Sequence, residues 1–323
     1  MERRNFFGKT ALGGILLGSG VTAAGSKDAL AAQPETDEIF VERSLPGKPY
    51  KGKVLAIVVD DTPLLCAGTC AKLVNEGYTA YLIRTTNNDK LGDGSYGENV
   101  LKNEKENERI HELLGISDVY EFYYRQHRLH SIPLVDIRFR MIFLFRYLKV
   151  DTVITYNPRG YGEENPDHIV TGQVVEEASW MAGIPNHLPE HFEAGVSPQT
   201  VNELYYMAAQ PGQEYNRVVD IGSVKEQKIK VIAESQSQGK GNMGAELRKK
   251  LSAEGKRIPM LGDNNETANR EFARNFLFDY YSTFDGIEKY GVTSAERFFY
   301  IDKRNTDLES GVEAFVANNA VKL

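Results

Sequence analysis

Two adjacent aspartates, Asp60 and Asp61, end the apolar run VLAIVVDD at residues 54–61. Carboxylates at the end of a buried strand are costly to desolvate unless a cation or hydrogen-bond donors meet them. A second polar junction, ENPDH, carries Asn165, Pro166, Asp167 and His168. Carboxylates beside an imidazole suit a divalent metal, zinc first, and such a metal activates water for hydrolysis.

Both junctions leave an apolar run and enter a helical pattern. Thr62 with Pro63, and Asn165 with Pro166, read as an N-cap followed by proline at the first helical position. The runs KVLAIVVD, TAYLIRTT, VYEFYYR and DTVITYNP alternate with the amphipathic segments PLLCAGTCAKLVNEG, ENVLKNEKENERIHELLG, LVDIRFRMIFLFRYLK and PDHIVTGQVVEEASWMAG. Four strand–helix units in succession predict an α/β domain, Rossmann-like, with a mostly parallel sheet covered by helices on both faces. Asp60, Asp61, Asp167 and His168 then converge at the carboxyl edge of the sheet, where open α/β sheets hold ligands. Beyond residue 184 the pattern loosens, with ELYYMAAQ and RVVDIG as strands and SVKEQKIKVIAESQ as a helix. From about Gly244 the chain reads as a helical C-terminal extension. There Phe272, Phe276, Tyr280 and Phe284 recur every four residues, as a stripe packed on the main domain or a second subunit, or as a sugar platform.

Taken together, VVDDTPLLCAGTCAKL, NPDHIVTGQVVEEA and VVDIGSVKEQKIKVIAESQSQ resemble the signature regions of the GlcNAc-PI de-N-acetylase family, the PIG-L or LmbE-like deacetylases. The resemblance covers roughly residues 52–240. It implies that Asp60 is the general base and that Asp61 and His168 ligate zinc beside the carbonyl of an N-acetyl group. The expected activity is zinc-dependent N-deacetylation of an N-acetylated amino sugar or glycoconjugate, a small-molecule or glycan substrate. The family's first histidine is Val58 here, its glutamate Thr62, the first histidine of its second motif Asn165, and a later histidine Ser235. Catalytic zinc takes three protein ligands and a water, and the matched positions supply two. Either His187 or His191, in NHLPEHF, substitutes, or metal is held weakly, or the chain is an inactive family member that binds a carbohydrate or a partner.

The start of the chain, with Arg3 and Arg4 before Phe6, Phe7 and Lys9 and then ALGGILLGSGVTAAG and ALAA, reads as a twin-arginine-type signal peptide over residues 1–31. The expectation is an exported bacterial protein, periplasmic or extracellular. Its parts are a lead-in at 32–50, a deacetylase-like domain at 51–243 and the extension at 244–323. Removing residues 1–31 takes away four positive and two negative groups, moving the formal charge from −7 to −9. An acidic chain without a basic run argues against nucleic acid as partner. The apolar run of the signal is too short for a membrane span. Cys66 and Cys70, four apart on a helix, are spaced for free buried thiols rather than a disulfide.

Overall fold

The computed structural model describes residues 39–238, 240–306 and 308–322. Residues 1–38, with the expected signal peptide and the first part of the lead-in, lie outside the described residues. The strands are β1 (Phe40–Glu42), β2 (Val54–Val59), β3 (Thr79–Thr86), β4 (Asp118–Tyr124), β5 (Thr152–Tyr156), β6 (Glu203–Met207), β7 (Arg217–Asp220) and β8 (Ala295–Asp302). The helices are α1 (Ala67–Asn75), α2 (Tyr96–Leu114), α3 (Leu134–Leu148), α4 (Pro166–Met181), α5 (Pro189–Glu193), α6 (Lys225–Glu234), α7 (Met243–Ala253), α8 (Asn265–Phe272), α9 (Phe278–Ser282) and α10 (Leu308–Asn319).

The strands form one eight-stranded sheet in the order β1-β7-β8-β6-β5-β2-β3-β4. Every pairing is parallel except those of β8 with β6 and β7. The α/β, Rossmann-like reading therefore holds, with α1, α2 and α6 contributing to the core on one face and α3 and α4 on the other. The central strands are apolar because both faces are covered. β2 and β5 are buried along nearly their whole length. The region from Gly244 onward is largely helical, and it also returns β8 to the interior of the sheet. There Glu203 pairs with Asp302, and Ala295 with Asp220.

The strand order reverses between β2 and β5. After β2 the chain moves outward to β3 and β4, whereas after β5 it moves the opposite way to β6. The loops leaving β2 and β5 diverge, and a crevice opens between them at their carboxyl ends. Asp60 directly follows β2, and the loop from Asn157 to Asn165 follows β5.

The two helix entries differ. Asn165 caps α4 as its type predicts, accepting from Asp167 N at 3.0 Å with Pro166 behind it. Thr62 does not cap α1: a 3-10 turn at Leu64–Cys66 intervenes, and the Thr62 hydroxyl donates to Asn107 Oδ1 at 2.9 Å. Gly172, one turn after His168 on α4, packs against the end of β5. A Cβ there would lie 2.6 Å from the Tyr156 carbonyl oxygen, so only glycine allows this approach.

The aromatic recurrence at 272–284 does not form one packed stripe. A π-helical turn at Ala273–Leu277 shifts the helical phase. Phe278 is buried as a result, while Phe276 is 59% and Tyr280 80% exposed. Cys66 and Cys70 are buried and free.

Candidate functional site

The crevice between β2 and β5 is built from both junctions. Asp60 is fully buried and accepts from the Tyr156 hydroxyl at 2.6 Å and from Asn165 Nδ2 at 3.2 Å. His168 Nε2 lies 3.3 Å from Asp60 Oδ1, and His168 Nδ1 lies 3.0 Å from Glu163 Oε1. The His168 ring stacks on Tyr156, with centroids 3.7 Å apart and planes 8° apart. One imidazole is thus clamped between two carboxylates and against a phenol face.

The electrostatics follow from that clamp. Burial works against charge on His168, but Asp60 and Glu163 outweigh it and push its pKa up to about 10. Burial also works against the Asp60 carboxylate, and the His168 charge with the Tyr156 hydrogen bond holds it below the ordinary carboxylate range. Glu163 is likewise lowered, against its burial, by His168. Asp61 goes the other way: burial first, then the Asp60 charge beside it, hold it well above its usual value. Its Oδ1 accepts from Thr62 N at 2.5 Å. Burial and then Asp60 keep the Tyr156 phenol protonated, as a donor must be.

Sequence reasoning expected Asp60, Asp61, Asp167 and His168 at one mouth. Asp60 and His168 meet, with Asp61 next to them. Asp167 does not join them: its carboxylate accepts from the backbone N–H of His127 and from Leu129 N at 3.1 Å, so it ties down the loop after β4. His187 and His191 are not brought to the crevice. They lie beyond the far end of α4, a helix about 24 Å long, whereas His168 is in its first turn. The His187 ring packs edge-on to Phe139, and His191 packs on Phe143 with Nδ1 3.2 Å from Arg146.

Two participants were missed. Tyr156 is the last residue of β5, and Glu163 lies in the loop that follows it. Neither carries a motif signal, because β5 meets β2 only in the folded sheet.

Residues 59–179 match the PIG-L family model, GlcNAc-PI de-N-acetylase. This family-level match spans both junctions. A diacetylchitobiose deacetylase of Thermococcus kodakarensis is 27% identical over 183 residues, 55% of this chain and 66% of the relative, just under two thirds of its length. Among solved structures, N,N'-diacetylchitobiose deacetylase from Pyrococcus horikoshii superposes with a TM-score of 0.59 at 22% identity, covering 79% of this chain and 86% of that one. A 4-carboxy-2-hydroxymuconate hydratase from Pseudomonas putida gives 0.51 at 15% identity, covering 76% and 95%. At these identities the structural likenesses establish the fold and leave the chemistry to the site.

The PIG-L resemblance led to the expectation of a zinc-dependent N-deacetylase, and the donor set overturns it. Among the described residues no group of three or more His, Cys, Asp or Glu side chains is placed to hold a metal ion. Val58, where the resemblance led to the expectation of a histidine, is fully buried in the apolar cluster beneath α3 and α4. Asn165 spends its amide on Asp60 and its carbonyl on the helix cap. The residues present do not fit a catalytic zinc.

Proposed function

We propose that this chain is a non-catalytic, deacetylase-like protein whose crevice binds a carbohydrate, with Asp60, Asp61 and His168 as its polar contacts. The observation that carries this reading is the clamp on His168. An imidazole ion-paired with Asp60 and Glu163 and stacked on Tyr156 has its charge met inside the protein rather than held open for a metal. Polar groups converging on a crevice suit a sugar. The relatives named as diacetylchitobiose deacetylases make an N-acetylated chito-oligosaccharide the first ligand to try.

Isothermal titration with N,N'-diacetylchitobiose tests this, alongside elemental analysis and an acetate-release assay on the same sample. Saturable binding without acetate release is the expected result. Acetate release that tracks stoichiometric bound metal would overturn it.

A protein partner is the second reading, favoured by one observation. The helix α10 exposes Val312, Phe315 and Val316, at 51%, 67% and 52%, on one face at helical spacing. Sedimentation of the purified chain distinguishes a self-associating protein from a monomer. No helix among the described residues is long and apolar enough to cross a membrane. We further propose export through the twin-arginine-type signal, which N-terminal sequencing of the secreted chain would check by finding cleavage near Ala31.

A further inference from the structure

Beside the crevice, at the same carboxyl edge of the sheet, the loops after β3 and β4 form an open cavity of about 380 Å³ lined by the exposed residues Lys90, Tyr96, Arg125, His127, Arg128 and His130. Five of these six side chains are basic, in a chain whose formal charge is −7. Random placement on an acidic surface disperses cations among carboxylates; here they face one concavity.

The neighbouring acid does not neutralise the group. Asp89 is buried, and its carboxylate is spent on Arg125 Nε at 2.7 Å and on Gln126 N at 3.2 Å. Arg125 in turn lies over the Tyr96 ring at 4.9 Å. Lys90 and Arg128 form no ion pair with any described residue. Two uncompensated cations and two imidazoles therefore remain in a concave site, which focuses a positive potential inside an acidic surface.

The cavity is also fastened to the crevice from two sides. Thr86 N donates to the Asp60 carbonyl at 2.9 Å, and four residues of chain, at most about 14 Å, separate Thr86 from Lys90. On the other side Asp167, adjacent to His168, receives the backbone N–H groups of His127 and Leu129. The left-handed conformation of His127, at φ 57°, is part of that anchored loop.

We propose that this cavity is an anion site, holding a phosphate, sulfate or carboxylate group of the ligand whose sugar ring occupies the crevice. The identity of the rest of the ligand rests on the carbohydrate reading above; the anion site does not. Arginine and lysine donate charge-assisted hydrogen bonds to such oxyanions, in a geometry that a neutral sugar cannot exploit.

The test titrates the full chain with four probes: inorganic phosphate, N-acetylglucosamine, N-acetylglucosamine 1-phosphate, and phosphatidylcholine vesicles with and without phosphatidylinositol. The expected result is binding of the sugar phosphate about tenfold or more tighter than the neutral sugar, weakening as salt is raised. Lys90→Gln with Arg128→Gln should abolish that preference, whereas Lys250→Gln, an exposed cation on α7, should keep it. Should phosphate or phosphatidylinositol vesicles bind through Lys90 and Arg128 while neither soluble sugar does, the anion site stands and the carbohydrate reading falls, the vesicle result marking a lipid headgroup as the source. Equal affinity for the two sugars, or a preference that survives the double substitution, overturns the anion site and leaves the carbohydrate reading intact. Failure of all four probes to bind overturns both. Circular dichroism of each variant confirms that the fold is retained, as expected for exposed side chains.

Discussion

His168 Nε2 lies 3.3 Å from Asp60 Oδ1, joining the first turn of α4 to the end of β2 across the strand-order reversal. The pair closes the crevice from both walls, so its removal should be felt as stability as well as binding. Asp60 is fully buried, and the His168 side chain is 16% exposed. His168→Ala leaves a buried carboxylate without its cation, and a loss of about 3–5 kcal/mol follows. Urea denaturation should show it; a change below 1 kcal/mol would mean that the pair is not formed in solution.

Tyr156→Phe keeps the ring stacked on His168 and deletes only the hydroxyl that donates to Asp60 at 2.6 Å. Hydrogen bonds to charged groups contribute about 1.5–3 kcal/mol, and a loss of that size is expected. A smaller loss than that of His168→Ala is part of the expectation, since the ion pair survives.

Val58→His tests whether an imidazole at this position can serve as a metal ligand. The valine is fully buried among apolar side chains. An imidazole there costs about 1–3 kcal/mol if it finds no partner. The expected outcome is a lower melting temperature with no gain in zinc affinity. A folded variant that gains tight zinc binding by titration would show that Val58 can turn its side chain into the crevice.

Lys228 and Glu296 hold the start of α1 from below. Glu296 accepts from Gly68 N and Thr69 N at 2.8 Å each, and from Lys228 Nζ at 2.6 Å. Lys228→Met strands that buried carboxylate and should destabilise the chain by about 3–5 kcal/mol. Changing both residues to apolar ones of similar volume should recover part of the loss, which a double-mutant cycle measures.

His111 supplies a pH dependence. Burial first, then the charge of Arg84, lower its pKa to about 4. The folded state therefore keeps His111 neutral where the unfolded chain already protonates it. Its contribution is fully present above about pH 6.5 and is lost as pH falls towards 4, roughly 2–4 kcal/mol in all. His111→Gln should flatten this acid limb in denaturation curves taken between pH 7 and pH 4. An unchanged limb would place the acid sensitivity elsewhere.

Local chemistry made the first half of the fold readable. Apolar runs of strand length alternating with amphipathic helical segments announced β2 to β5 and α1 to α4, and further runs announced β6, β7 and α6. Asn165 with Pro166 announced where α4 begins, because a cap acts within a few residues of itself. Those elements alone put Asp60 and His168 on one sheet edge. Tertiary structure decided the rest. The eight residues of β8 carry no signal that they pair antiparallel inside the sheet, since strand partners are chosen by packing across the whole chain. Asp167 and His168 are neighbours in sequence, yet one faces the loop after β4 and the other faces Asp60. A helix turns each successive side chain by about 100°, and only the surroundings say which of them meets a carboxylate. Zinc ligation by His168 was an inference from motif, whereas its clamp between Asp60, Glu163 and Tyr156 needed three segments brought together. Burial then set the charge on each, and burial is a property of the folded chain.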